Sequence, residues 1–288
     1  MPPALWGALT ALGWGTGDFL SRFTGGRLGI ATAMAGVMSS SFLLLSAYAW
    51  SQGMPLRFPG EGWPALLVSC ICIVGATGLL YLGMIRGPIS LVAPIVAAYP
   101  VWSLLIALAY GVEPTWVQLL AMAAVMAAVV VVARLGSAAE PQAESQRGGA
   151  PFTILVALLS SIGFASGIAA LQTAGPLFGE MQVLLSIRLF GVIATLAVLL
   201  ALPSVRRPIP WRWWPVLLFQ GTIDGGAYLA LLAGSRMPEH ATAAVVVAST
   251  FCVVPVLLAW IFLRERIHWG QWLAIGVIVA GVAVLSAY

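Results

Sequence analysis

Two ions stand in otherwise apolar surroundings: Arg188 in "LLSIRLFGV" and Asp224 in "GTIDGGAYL". Their chemistry is complementary. A guanidinium presents a planar fork of donors that fits a carboxylate, and burial favours the neutral form of an acid, which can then take up and release a proton. Two readings follow. In one, Arg188 and Asp224 form a structural pair between neighbouring helices. In the other, Arg188 holds a substrate carboxylate and Asp224 takes a proton during a working cycle. The readings overlap, since a pair broken by a substrate couples binding to movement.

Aromatic residues form a second candidate set. Trp14, Tyr81, Tyr99, Trp102 and Tyr228 lie within apolar runs, whereas an interfacial belt would place them at the ends. Such rings can stack on an amphiphilic solute or enclose its apolar part; the alternative is that each packs a helix interface or faces lipid. Trp63, Trp211, Trp213, Trp214, Trp269 and Trp272 fall at run ends and read as belt residues. A third acid, Asp18 in "GWGTGDF", precedes Arg22 by four residues, so the two can pair along one helical face. A role for Asp18 at an inner gate or in a proton path is the other reading. The small residues of "GWGTGDF" and "GFASG" permit close helix packing.

The elements that hold these residues follow from composition. Hydrophobic residues make up 61% of the 288, charged ones 8%, and the mean hydropathy is +1.02, against a charged fraction of roughly 25% in soluble domains. The chain is a polytopic membrane protein. At about 20 residues per crossing, ten candidate spans appear: 4–23, 29–50, 64–84, 89–109, 116–134, 152–172, 180–202, 212–234, 241–263 and 269–287. Pro94 and Pro100 in the fourth and Pro255 in the ninth predict kinks. One long polar linker, residues 135–150, divides the chain into halves 1–134 and 151–288.

The halves resemble each other. Gly13, Thr16 and Gly17 correspond to Gly163, Ser166 and Gly167 at a constant offset of 150, and "WVQLLAMAAV" from Trp116 parallels "WGQWLAIGVI" from Trp269. A five-span unit crosses an odd number of times, so its second copy enters from the opposite side. The predicted fold is therefore all-α, ten transmembrane helices in two inverted five-helix repeats. Ten loop arginines (Arg22, Arg27, Arg86, Arg134, Arg147, Arg206, Arg207, Arg212, Arg264 and Arg266) fall on one side and only Arg57 and Arg236 on the other, while Glu61, Glu113, Glu180 and Glu239 share that second side. The positive-inside rule then places both termini away from the cytoplasm.

The stretches "APIVAAYPVWSLLIALAYGVEPTWVQLL" and "ASTFCVVPVLLAWIFLRERIHWGQWLA" resemble the EamA-like ten-helix branch of the drug/metabolite transporter superfamily. The resemblance rests on Pro100, Glu113 and Gln118 in the first half and Pro255, Glu265 and Gln271 in the second, and it covers nearly the whole chain. The Glu-to-Gln spacing is five in one half and six in the other. Many relatives keep their termini in the cytoplasm, the reverse of what the arginines predict here. The resemblance implies a secondary transporter of the inner membrane, exporting a small organic metabolite by alternating access, either coupled to protons or by simple facilitated exchange. It also implies that the first, third, fourth, sixth, eighth and ninth helices line a central cavity. An amino acid or related zwitterion is the first expectation for the substrate, because Arg188 and Asp224 could meet its opposite charges.

Rival classes have weaker support. Gly15 to Asp18, "GTGD", matches the signature of GxGD intramembrane aspartyl proteases, and Pro64-Ala65-Leu66 matches a second motif of theirs. The motif order is wrong, however, and the partner Tyr-Asp dipeptide is absent. No HExxH or GxSxG occurs, and His240 and His268 lie in turns. Cys70, Cys72 and Cys252 lack zinc or disulfide spacing and read as packing residues. Neither cofactor nor metal is expected, and no basic face interleaved with exposed aromatics suggests nucleic acid. A non-transporting scaffold would bury no ions at mid-span, which Arg188 and Asp224 do.

Overall fold

The computed structural model describes residues 2–111, 113–138, 149–234 and 238–287, without the side chains of 3, 136–138, 238–242 and 286–287. Most of the polar linker therefore lies outside the described residues, as do Arg147, Arg236 and the side chains of Glu239 and His240. The described chain is helical and has no strand: α1 (Pro3–Leu28), α2 (Ile30–Ser51), α3 (Trp63–Arg86), α4 (Ile89–Ala97), α5 (Tyr99–Ala109), α6 (Trp116–Ala138), α7 (Gly149–Phe178), α8 (Glu180–Ala201), α9 (Trp214–Gly234), α10 (Pro238–Ala248), α11 (Val253–Leu258) and α12 (Trp269–Ala287). Eight stretches are long and apolar enough to cross a bilayer: α2, α3, α4 with α5, α6, α7, α8, α9 with its preceding turn, and Ala243–Leu263. α1 has the length but carries Asp18, Arg22 and Arg27, and the apolar part of α12, Trp269–Leu285, is shorter. Large side chains such as Leu43, Leu67, Leu120, Ile193 and Phe262 stay exposed on the outer faces, as lipid contact requires.

Glycine sets the tightest connections. Gly29 joins α1 to α2 at φ 84°, ψ 148°, and Gly179 joins α7 to α8 at φ 89°, ψ 137°. A side chain is strained in that region, so one glycine suffices to turn the chain between two helices without a loop. The hydrogen bonds match as well: Gly29 N–H donates to Gly25 at 3.0 Å and Gly179 N–H to Gly175 at 2.8 Å.

Proline breaks two of the expected spans rather than merely kinking them. Pro100 has no N–H for the Val96 carbonyl and its ring crowds that oxygen, so the helix ends at Ala97 and resumes at Tyr99. Pro255 does the same to Phe251. That stretch passes from α10 through a 3₁₀ turn, Ser249–Cys252, into α11, then a π turn, Ala259–Leu263, closed by Arg264 at φ 54°.

Packing crosses between the halves. α3 lies along α7, α1 along α9, α2 along α8, and α6 along α12. Small residues allow it: a β-carbon on Gly13 would stand 2.9 Å from the Ile223 carbonyl of α9, and one on Gly163 would stand 3.0 Å from Ala76 of α3. α4 is buried over its whole length in the core formed with α6, α7, α11 and α12.

Charged residues finish the helix ends. Arg22 donates to the carbonyls of Met84, 3.0 Å, and Gly87, 2.5 Å, at the end of α3. Arg207 donates to Gly26 and Arg27 at the end of α1, both at 3.3 Å, and Arg206 to Leu199 and Leu200 at the end of α8. Helix C-termini carry orphan carbonyls and partial negative charge, which a guanidinium satisfies on both counts. Glu265 does the converse at the start of α4, accepting from Ile89 N–H at 2.9 Å and Ser90 N–H at 3.1 Å.

Candidate functional site

A cavity of about 160 Å³ lies at the middle of the bundle. Its walls come from α1 (Trp14, Gly17, Asp18), α2 (Met34, Val37, Met38), α3 (Ile73, Thr77, Leu80, Tyr81), the α4–α5 break (Val96, Tyr99), α7 (Phe164, Ile168), α8 (Arg188), α9 (Gln220, Asp224, Tyr228) and the 3₁₀ turn (Phe251). Both proline-broken helices thus contribute at their breaks: Val96 and Phe251 are the residues whose carbonyls Pro100 and Pro255 crowd.

The two mid-span ions meet. Arg188 Nη2 lies 2.7 Å from Asp224 Oδ2, and the Ser41 hydroxyl of α2 donates to the same oxygen at 3.0 Å. The guanidinium carbon also lies 4.9 Å from the Tyr228 ring centre, a cation–π contact. Tyr228 in turn stands edge-on to Trp14 at 5.0 Å, and Trp14 to Phe251 at 6.2 Å. Four elements thus share one contact chain, running from a carboxylate through a guanidinium to three rings. Oδ2 of Asp224 is thus held by both Arg188 and Ser41.

Gln220 ties the opposite wall. Its amide donates to the Gly17 carbonyl and to the Tyr81 hydroxyl, both at 2.9 Å, and its oxygen accepts from Thr24 at 3.0 Å. One buried side chain therefore fixes α9 against α1 and α3. A β-carbon on Gly17 would meet nothing within 4 Å. This glycine opens onto the cavity and does not serve close packing.

The expected Asp18–Arg22 pair does not form. Arg22 reaches the carbonyls ending α3, which are fixed acceptors with no conformational freedom to lose, and Asp18 turns to the cavity instead. Among the described residues the Asp18 carboxylate has no hydrogen bond or ion pair. The indole Nε1 of Trp14, one turn earlier, is buried and also lacks a partner.

Of the residues singled out in the sequence, Trp14, Asp18, Tyr81, Tyr99, Arg188, Asp224 and Tyr228 line this one cavity, and Trp102 does not. Tyr99 opens α5 at the break, whereas Trp102 sits about one turn further along α5. Gln220, Ser41, Phe164 and Phe251 were not anticipated. A lone glutamine inside "LLFQGTID" was a usable signal for the first; the others are ordinary span residues with nothing to distinguish them.

The sequence model of the EamA-like transporter family matches residues 1–134 and 151–287. Fifteen chains among the solved structures match. One is a crystal structure of a protein 16% identical to this chain, aligned over 98% of this chain and 95% of that one with a TM-score of 0.67, a likeness of fold alone. No curated protein matches.

Proposed function

The chain belongs to the EamA-like transporter family, and from that premise we propose a ten-helix secondary transporter of the inner membrane that exports a small organic metabolite by alternating access. The observation that carries the reading is the cavity itself: an ion pair, a free carboxylate and six aromatic rings (Trp14, Tyr81, Tyr99, Phe164, Tyr228 and Phe251) at the centre of an apolar bundle, supplied by both halves of the chain. Ions so placed cost several kcal/mol unless they face a partner or a wet pathway.

Several features support two inverted five-helix halves, residues 1–134 and 151–288 about the 135–150 linker. The family's pattern matches each half separately. Gly29 and Gly179 make the same turn at an offset of 150. Exchanging halves exchanges the α3–α7 contact with α1–α9 and returns α2–α8 and α6–α12 to themselves. α1 and α12 complete the ten spans in this scheme. The arginine distribution favours both termini outside the cytoplasm.

In the cycle, the proline breaks at Val96–Tyr99 and Phe251 are the hinges, and the Arg188–Asp224 pair opens and re-forms as protons come and go. The zwitterion expectation assumed that each of these ions was free for a solute charge. Their 2.7 Å contact supports instead a pair that a solute must displace or leave intact. The test is solute flux in sealed proteoliposomes, screened with and without a pH gradient. Flux above protein-free vesicles is expected, and an inert protein across amines, amino acids and aromatic metabolites overturns the reading.

A further inference from the structure

The ionisable side chains around the cavity are unequally satisfied. Arg188 is held by Asp224, which also takes a hydrogen bond from Ser41. Asp18 faces the same space without hydrogen bond or ion pair among the described residues. Two carboxyls against one guanidinium leave Asp18 without a counter-ion, and among the described residues no other cation lines the cavity. A solute carboxylate would find the guanidinium already taken; a solute cation would give Asp18 its counter-ion and hold it ionised.

A second observation comes from the same helix face. Trp14 and Asp18 are four residues apart on α1, so their side chains are neighbours, roughly 5–6 Å between β-carbons. The Trp14 indole N–H is a buried donor with no acceptor. A buried polar group without a partner in a native fold asks for an explanation such as a ligand. Side by side, then, are a carboxyl at the cavity that wants a cationic donor and a buried N–H, closed to the cavity in this arrangement, that wants an acceptor. Met34, Met38 and Ile73 provide an apolar wall, and Tyr81 and Phe164, whose rings are of a kind that attracts an ammonium, line the same space.

Resting on the transport reading, we propose that the solute is a small organic amine in its ammonium form, bound through Asp18, with a neutral acceptor beside the amine facing the Trp14 N–H. The Arg188–Asp224 pair stays closed in this complex and is a wall of the site, not its receptor.

The test measures thermal stabilisation of the purified full-length protein in detergent at about pH 6, where an α-amine, with a pKa near 8, is protonated. Four probes share one isobutyl body: leucinamide (cation with acceptor), isopentylamine (cation without acceptor), leucine (zwitterion) and N-acetylleucine (anion). Leucinamide is expected to bind at least about tenfold more tightly than leucine or N-acetylleucine, the scale of one charge-assisted hydrogen bond. Asp18→Asn loses that binding and Asp18→Glu retains part of it. Trp14→Phe keeps the ring, drops the donor, and abolishes the preference for leucinamide over isopentylamine.

Leucine or N-acetylleucine binding as well as leucinamide overturns the proposal. So does unchanged leucinamide binding in a folded Asp18→Asn protein, or no stabilisation of folded wild type by either amine. The two readings fail separately. Amine binding without flux in proteoliposomes sinks the transporter and leaves the site, whereas flux indifferent to the charge of the four probes sinks the site and leaves the transporter.

Discussion

Gly29 and Gly179 stand 150 residues apart and hold nearly the same positive-φ conformation, φ 84°, ψ 148° and φ 89°, ψ 137°, each between two helices of its own half. Only glycine takes this region without strain. Alanine at either position is expected to cost about 2 kcal/mol. The two losses should agree, because the backbone conformation is nearly the same and an added β-carbon would meet nothing closer than 3.6 Å at Gly29 and nothing within 4 Å at Gly179. Chemical or thermal unfolding in detergent measures both, and one tolerated substitution would break the equivalence.

The Arg188–Asp224 contact makes a non-additive prediction. Removing one partner leaves the other charge without a counter-ion at mid-bundle, a loss of roughly 3–5 kcal/mol for a fully buried pair. Because Asp224 is 23% exposed to the cavity, about 2–3 kcal/mol is expected for Asp224→Asn or Arg188→Gln alone. The double variant should lose less than the sum of the singles, a coupling of at least about 1 kcal/mol. Additive losses in a double-mutant cycle would show that the pair is not coupled.

Gln220 makes a sharper structural claim than either ion. Gln220→Leu strands the Tyr81 hydroxyl, while the Gly17 carbonyl, inside α1, keeps its helix bond and Thr24 keeps its bond to the Leu20 carbonyl. The expected loss is about 1–3 kcal/mol, the penalty for a buried polar group left unmet. A Tyr81→Phe change in the same background should then add little, and unfolding midpoints of the single and double variants decide the matter.

Glu265 clamps the first turn of α4 through two main-chain donors, Ile89 and Ser90. Glu265→Gln offers one carbonyl oxygen in place of two carboxylate oxygens and no charge for the helix dipole, a loss of about 1 kcal/mol. That clamp joins α4 to the segment after α11, so weakening it should loosen the arginine-rich end of the bundle. In a cysteine-free background, a cysteine at Ser90, 3% exposed in the closed arrangement, should label several-fold faster when Glu265→Gln is present, by the population-shift value of about 1 kcal/mol. An unchanged labelling rate rejects the clamp.

The proposed topology has its own check. A C-terminal fusion to a phosphatase active only outside the cytoplasm should be active, and a fusion to a fluorophore that matures only inside should be dark. The opposite pattern reverses the orientation.

Much of the fold could be read from hydropathy alone, since helices such as α2, α6 and α8 begin and end within a few residues of the expected spans. What hydropathy could not show was the rotation of each helix. Tyr99 and Trp102 are equally aromatic and equally central in their run, yet Tyr99, at the break, lines the cavity and Trp102, about one turn further along α5, does not. Asp18 and Arg22 illustrate the other limit. Their spacing permits a pair, but the carbonyls of Met84 and Gly87, some sixty residues on, compete for the guanidinium and hold it. A local rule failed because the stronger partner was distant in sequence. The residues whose chemistry is rarest in such a chain, Arg188 and Asp224, were the most legible, since few environments accept an ion there.

The arginines that end helices carry one more consequence. Arg22, Arg206 and Arg207 sit where a membrane-insertion machinery would read them, and in the folded chain the same side chains close α3, α8 and α1. In the proposed topology, the signal that would steer the nascent chain is thus reused as a fastening once it has threaded. An experiment that relocates these charges to reverse the threading will fray three helix ends at the same time, so an unstable product would say nothing about which way the chain went in.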